Sequence, residues 1–153
     1  MTGIGQSDPA ALLRRGVIAL GVLGLAGTVL ELVFLRHWGT ATALIVWVGI
    51  LALALGFVAL ARRPTRRVVL GVRILAAVGL IVSIAGVGFH VVENLTAGPL
   101  DRVYAATWDT MPSPEQWWTA ITGGVGPAPT LAPGALAEIA LALLLATLWR
   151  PAA

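Results

Sequence analysis

The chain has 153 residues, of which 58% are hydrophobic and 11% charged, with a mean hydropathy of +0.92. Soluble domains carry roughly 25% charged residues, so an ordinary soluble globular domain is excluded. The net charge of +3 sets ten Arg against seven acidic residues; there is no Lys and no cysteine, which removes disulfides, thiolate metal sites, iron–sulfur clusters and cysteine nucleophiles.

The length suits about four spans of roughly 20 residues joined by short connections, with no room for a separate soluble domain. The expected fold is therefore all-α: a single polytopic four-transmembrane-helix bundle over residues 1–153, with a short interfacial helix in an extracytoplasmic loop. The first predicted span covers 16–35 and follows Arg14 and Arg15. It begins like a signal peptide, but the apolar run exceeds a usual signal core and carries Glu31, so it reads as a retained span. The second covers 40–61 and has small residues at Gly49, Ala52, Gly56 and Ala59 without a charge, the pattern of a scaffold helix. The third covers 68–92; Arg73 near its start is expected to snorkel to the headgroups without an internal partner.

Residues 94–130 form the extracytoplasmic loop. Within it Ser113, Pro114 and Gln116 read as an N-cap, a first-turn proline and a capping-box partner, predicting a helix from Pro114 to Ile121 that the following Gly-Gly stops. Tyr104, Trp108, Trp117 and Trp118 are the aromatic types that settle at a bilayer interface, so the loop reads as a lid on the outer surface. The fourth span covers 133–149.

Arg14, Arg15, Arg62, Arg63, Arg66, Arg67, Arg73 and Arg150 fall on one side of this arrangement, and only Arg36 and Arg102 on the other. The positive-inside rule then places both termini in the cytoplasm. The Arg-for-Lys usage and the abundance of Ala and Gly point to a bacterial genome, hence to a multi-pass protein of the bacterial cytoplasmic (inner) membrane whose partner is the lipid bilayer. The cluster "RRPTRR" reads as a topology signal and lacks the interleaved aromatics of a nucleic-acid surface, so no nucleic-acid partner is expected.

Glu31, His90, Glu93 and Glu138 remain at membrane depth or at its outer border. A charge costs on the order of 3 kcal/mol at a span centre, which makes such residues candidates for function. Small residues one and two turns away place them on packing faces, and His90 and Glu93 share a helix face. Carboxylates from separate helices with a histidine can hold a divalent metal ion, with Glu31, His90 and Glu138 as ligands and Glu93 as a fourth ligand or rim residue. The same groups can share a proton, or form a hydrogen-bonded network that fixes helix register. His37 reads as interfacial.

The stretches "LELVFLRHW", "GFHVVEN" and "APTLAPGALAEIALALLLATLWRP" resemble an uncharacterised family of small bacterial four-span membrane proteins. The resemblance implies that architecture and makes Glu31, His90, Asn94, Pro133 and Gly134 the matching positions; Glu93 has no match, and no activity is carried over.

Two functions are expected from these residues: a binding module with an outer-leaflet Glu/His site for a metal ion or proton, or an accessory or assembly subunit of a larger membrane complex, as a homo-oligomer or with other subunits. An enzyme is less supported, because Ser83 and His90 are accompanied by no acyl-transfer constellation.

Overall fold

The computed structural model describes residues 8–62 and 65–148. All regular structure among them is helical: α1 (Pro9–Phe34), α2 (Ala41–Arg62), α3 (Arg66–Ala97), two single-turn 3-10 helices (Gly98–Leu100 and Trp108–Thr110), α4 (Ser113–Ile121) and α5 (Gly134–Ala146). By length and composition α1, α2 and α3 can each cross a membrane, whereas α5 is a shorter apolar helix. At 1.5 Å per residue α3 extends about 48 Å and α5 about 20 Å, against a hydrocarbon core of about 30 Å. Arg63, Arg150 and the expected end of the fourth span at Trp149 lie outside the described residues.

Short polar side chains start the long helices. The Asp8 carboxylate accepts from the Ala10 N–H, and Pro9 opens α1, so the helix begins well before the apolar run. Thr40 and Thr65 cap α2 and α3, their hydroxyls accepting from the amides of Ala43 and Val68. At the end of α1, Arg36 takes a left-handed conformation with φ of 49°. The Arg36 amide then bonds the Val33 carbonyl and the His37 amide bonds the Leu32 carbonyl, a Schellman closure. Trp47 on α2 donates its indole N–H to the His37 carbonyl at 2.8 Å, which fixes the α1–α2 corner.

The chain divides into two compact units, Met1–Val82 with Ala135–Ala153, and Ser83–Gly134. In the first, Leu53, Leu136, Ala140 and Leu143 are fully or almost fully buried, with Leu25, Phe57, Leu60, Val72 and Ala76 around them. Helices meet where a glycine faces a large side chain: Gly21 against Phe57, Gly56 against Leu143, Gly79 against Leu53 and Gly24 against Ile139. Omitting a Cβ there lets neighbouring helices approach closely, the arrangement that favours association in lipid. The second helix holds eight buried residues and α1 only Gly21 and Leu25, so α2 is the scaffold of this unit. Outward positions such as Leu20, Phe34, Leu51, Leu70 and Leu145 are apolar and exposed, as expected of helices whose solvent is lipid.

Arg73 departs from its predicted role. Its Nε donates to the Thr147 hydroxyl at 3.1 Å and its Nη2 reaches the Thr147 carbonyl at 3.5 Å. The terminal carbonyls of α5 lack intrahelical donors, and a guanidinium at that height supplies them. Arg14 does the same from α1, its Nε lying 3.2 Å from the Ala146 carbonyl.

Candidate functional site: the polar seam of the cap

The second unit, Ser83–Gly134, here termed the cap, contains the C-terminal part of α3 and the segment that follows it. Its core is Val91, Trp108, Ala120 and Val125, with Val87, Leu95, Tyr104 and Met111 packed around them. The Trp108 indole lies over Gly98 so closely that any Cβ there would overlap the ring, and Tyr104 meets it edge-on, with centroids 6.3 Å apart. This corrects the expectation of an interfacial Trp108: it is 5% exposed, whereas Trp117 and Trp118 are 49% and 68% exposed.

Predicted almost to the residue, α4 nevertheless uses different capping chemistry. Pro112 is the N-cap residue and contributes no side-chain bond. Gln116 does not close a capping box, because its amide donates to the Trp108 carbonyl at 2.6 Å and ties α4 to the preceding 3-10 turn. The helix does stop at the two glycines: the Gly124 amide bonds the Thr119 carbonyl at 2.8 Å, with Gly123 at φ of 72°.

From α4 the chain returns along α3 through a segment containing Pro127, Pro129 and Pro133. Prolines donate no N–H, so the carbonyls of this segment must find donors elsewhere or remain unsatisfied at a cost of about 1–3 kcal/mol each. Side chains of α3 supply them. Ser83, 2% exposed, donates its hydroxyl to the Pro133 carbonyl at 2.7 Å. His90 Nδ1 lies 2.8 Å from the Pro129 carbonyl. Because a carbonyl only accepts, Nδ1 carries the hydrogen and the lone pair of the neutral ring sits on Nε2.

Asn94, fully buried, closes the seam. Its Nδ2 lies 2.9 Å from the Ala128 carbonyl and 3.3 Å from both the Ala120 carbonyl and the Thr130 hydroxyl, while its Oδ1 accepts from the Ala128 amide at 2.9 Å. One side chain thus joins α3, the end of α4 and the returning segment. Gly126, at φ of 79°, presses so tightly on Asn94 that a Cβ would overlap its carboxamide oxygen. No buried side-chain polar atom among the described residues lacks a hydrogen-bond partner.

Asp101 anchors the turn that follows α3. Its carboxyl is held below its ordinary value, chiefly by the backbone N–H of Val103; desolvation opposes this, and the N–H groups of Tyr104 and Gly126 add to the lowering. The bonds to Val103 and Tyr104 measure 2.8 and 3.3 Å.

The sequence-predicted ligands are distributed between the units. His90 and Glu93 are one turn apart near the C-terminal end of α3; His90 is half-buried and Glu93 exposed. Glu31 and Glu138 belong to the first unit, and both are exposed. There, Gly21 faces Ala142 and Gly24 faces Ile139, an antiparallel register that sets Glu31 and Glu138 about 9 Å apart along the helix axes. Of the small residues expected to make packing faces for them, Gly24 does so, whereas Gly27 and Gly134 face open space. Among the described residues no three His, Asp or Glu side chains form a group that could hold a metal ion.

Sequence reasoning assigned no chemistry to Asn94 or Thr130. Their acceptors are chiefly backbone carbonyls, which leave no mark in a sequence; the available signal was a polar residue late in an apolar helix and another within the proline-rich return. No protein-family model, curated protein or solved structure matches the chain.

Proposed function

We propose that this chain is a four-span protein of the bacterial cytoplasmic membrane, with both termini cytoplasmic, acting as an accessory or assembly subunit of a larger membrane complex. In this reading α5 completes the fourth span and the cap Ser83–Gly134 lies on the outer side, with α4 at the bilayer interface. The observation that carries it is the use of the α3 polar groups: Ser83, His90 and Asn94 all bond cap backbone. Their geometry supports a rigid platform. The exposed Trp117, Trp118 and Leu131 give that platform an apolar outer rim, of the kind that meets lipid headgroups or a partner helix.

Gentle extraction from the host membrane followed by native mass spectrometry tests the proposal. Co-release with at least one further subunit, weakened by Trp117→Ala with Trp118→Ala, is expected. A lone monomer, released intact with its lipids, would sink it.

A second reading keeps the binding module and centres it on His90. It rests on the Nδ1–Pro129 bond, which orients His90 and leaves Nε2 as the atom able to take a metal ion or a proton. Zinc added to metal-free protein should then raise the melting temperature of the wild type and not of His90→Ala; equal behaviour of the two would remove this reading.

A further inference from the structure

We propose that Arg14 and Arg73 form a built site for the phosphate of an anionic phospholipid in the cytoplasmic leaflet. The two side chains come from different helices and converge on consecutive residues, Ala146 and Thr147, at the end of α5. Each is fixed through its Nε, at 3.2 and 3.1 Å. A guanidinium held by Nε has its plane set, and among the described residues both Nη groups of Arg14 and Nη1 of Arg73 have no acceptor. Planar, pre-oriented forks of this kind suit the paired oxygens of a phosphate.

Charge points the same way. Among the described residues the acceptors of the two guanidinium groups are neutral oxygens, two carbonyls and the Thr147 hydroxyl, which do not offset the two positive charges. Under the proposed topology eight Arg face the cytoplasm, and the only acidic residue with them is Asp8, whose carboxylate caps α1. Depth favours a lipid over a solute. Arg14 and Arg73 both lie inside helices α1 and α3, beside apolar exposed neighbours such as Leu13, Leu70 and Ile74. An acyl chain can lie along those neighbours while the headgroup phosphate meets the guanidinium pair, an arrangement closed to free phosphate.

The site rests on the proposed bilayer arrangement for its leaflet, but its binding chemistry is testable in detergent, where topology plays no part. Native mass spectrometry of the detergent-solubilised full chain, titrated with phosphatidylglycerol or phosphatidylcholine, reads it out. One phosphatidylglycerol should be retained at about tenfold lower concentration than phosphatidylcholine. Arg14→Gln with Arg73→Gln should abolish that preference, whereas Arg66→Gln with Arg67→Gln, which removes equal charge from the first turn of α3, should keep it. Should the Gln pair fail to fold, Arg73→Lys preserves the charge and loses the fork, and several-fold weaker retention is expected. Equal retention of the two lipids, equal loss in the Arg66/Arg67 variant, full retention in Arg73→Lys, or displacement by millimolar inorganic phosphate would each overturn the assignment.

Discussion

Asn94 is the side chain on which the cap closes. Replacing it with Ala leaves the Ala128 amide and carbonyl without partners in a buried setting, at about 1–3 kcal/mol per group. Asn94→Ala should therefore destabilise the cap by about 2–4 kcal/mol, measured by denaturant-dependent proteolysis of the cap. Asn94→Asp, nearly the same size, should cost at least as much, since a carboxylate cannot donate to the Ala120 and Ala128 carbonyls. A fully stable Asp variant would mean that volume, not donation, matters there. Asp101 adds a pH dependence of definite sign. Its folded value lies below the ordinary 3.8, so its contribution is complete above pH 3.8 and disappears as pH falls through the lower folded value. The cap should loosen on acidification below pH 3.8, and Asp101→Asn should flatten that part of the stability–pH curve; an unchanged curve would separate Asp101 from cap stability.

At the scale of elements, the apolar runs and the Gly-Gly stop of α4 were legible because their causes are local, whereas the caps at Asp8, Thr40 and Thr65 emerge only in the structure. The continuation of α3 to Ala97 was not. Asn94 and Thr96 read as the start of a loop, yet both are accommodated in the helix by bonds formed within it or from it: the Thr96 hydroxyl returns to the Glu93 carbonyl, and Asn94 faces the cap. Likewise Arg73 and Thr147 are 74 positions apart, and nothing near Arg73 announces the partner. Trp108 was misread because an indole at a bilayer interface and one in a small core have the same sequence signature. Its core position has a consequence for α4, which is tied to it through Gln116. Trp108→Ala should cost the cap about 3–5 kcal/mol and release α4. Hydrogen exchange should then report lost protection over 83–134 while α2, in the other unit, keeps its own. Equal loss in both units would mean that they unfold together.

For the whole molecule, the decisive quantity is the reach of α5. Its helical length of about 20 Å falls short of a hydrocarbon core of about 30 Å, which would argue against a fourth crossing if the helix were considered alone. Under the proposed topology its neighbours extend that reach. The end of α5 bonds to Arg14 and Arg73, near the starts of α1 and α3, so it reaches the level at which those two helices begin. The α1–α5 register puts Gly134 level with about Val29, so α5 starts below the outer end of α1. The remaining height belongs to non-helical backbone, which is tolerated at membrane depth only where its polar groups are satisfied within the protein. The Pro133 carbonyl meets this condition through Ser83. Because the chain has no cysteine, each introduced thiol reports alone. In intact spheroplasts Thr107→Cys should react with a membrane-impermeant maleimide, and Thr65→Cys and Ala153→Cys only after permeabilisation. Labelling of Ala153→Cys from the outside, with Thr65→Cys still protected, would reduce the protein to three crossings and leave α5 as a helix that enters the bilayer without traversing it.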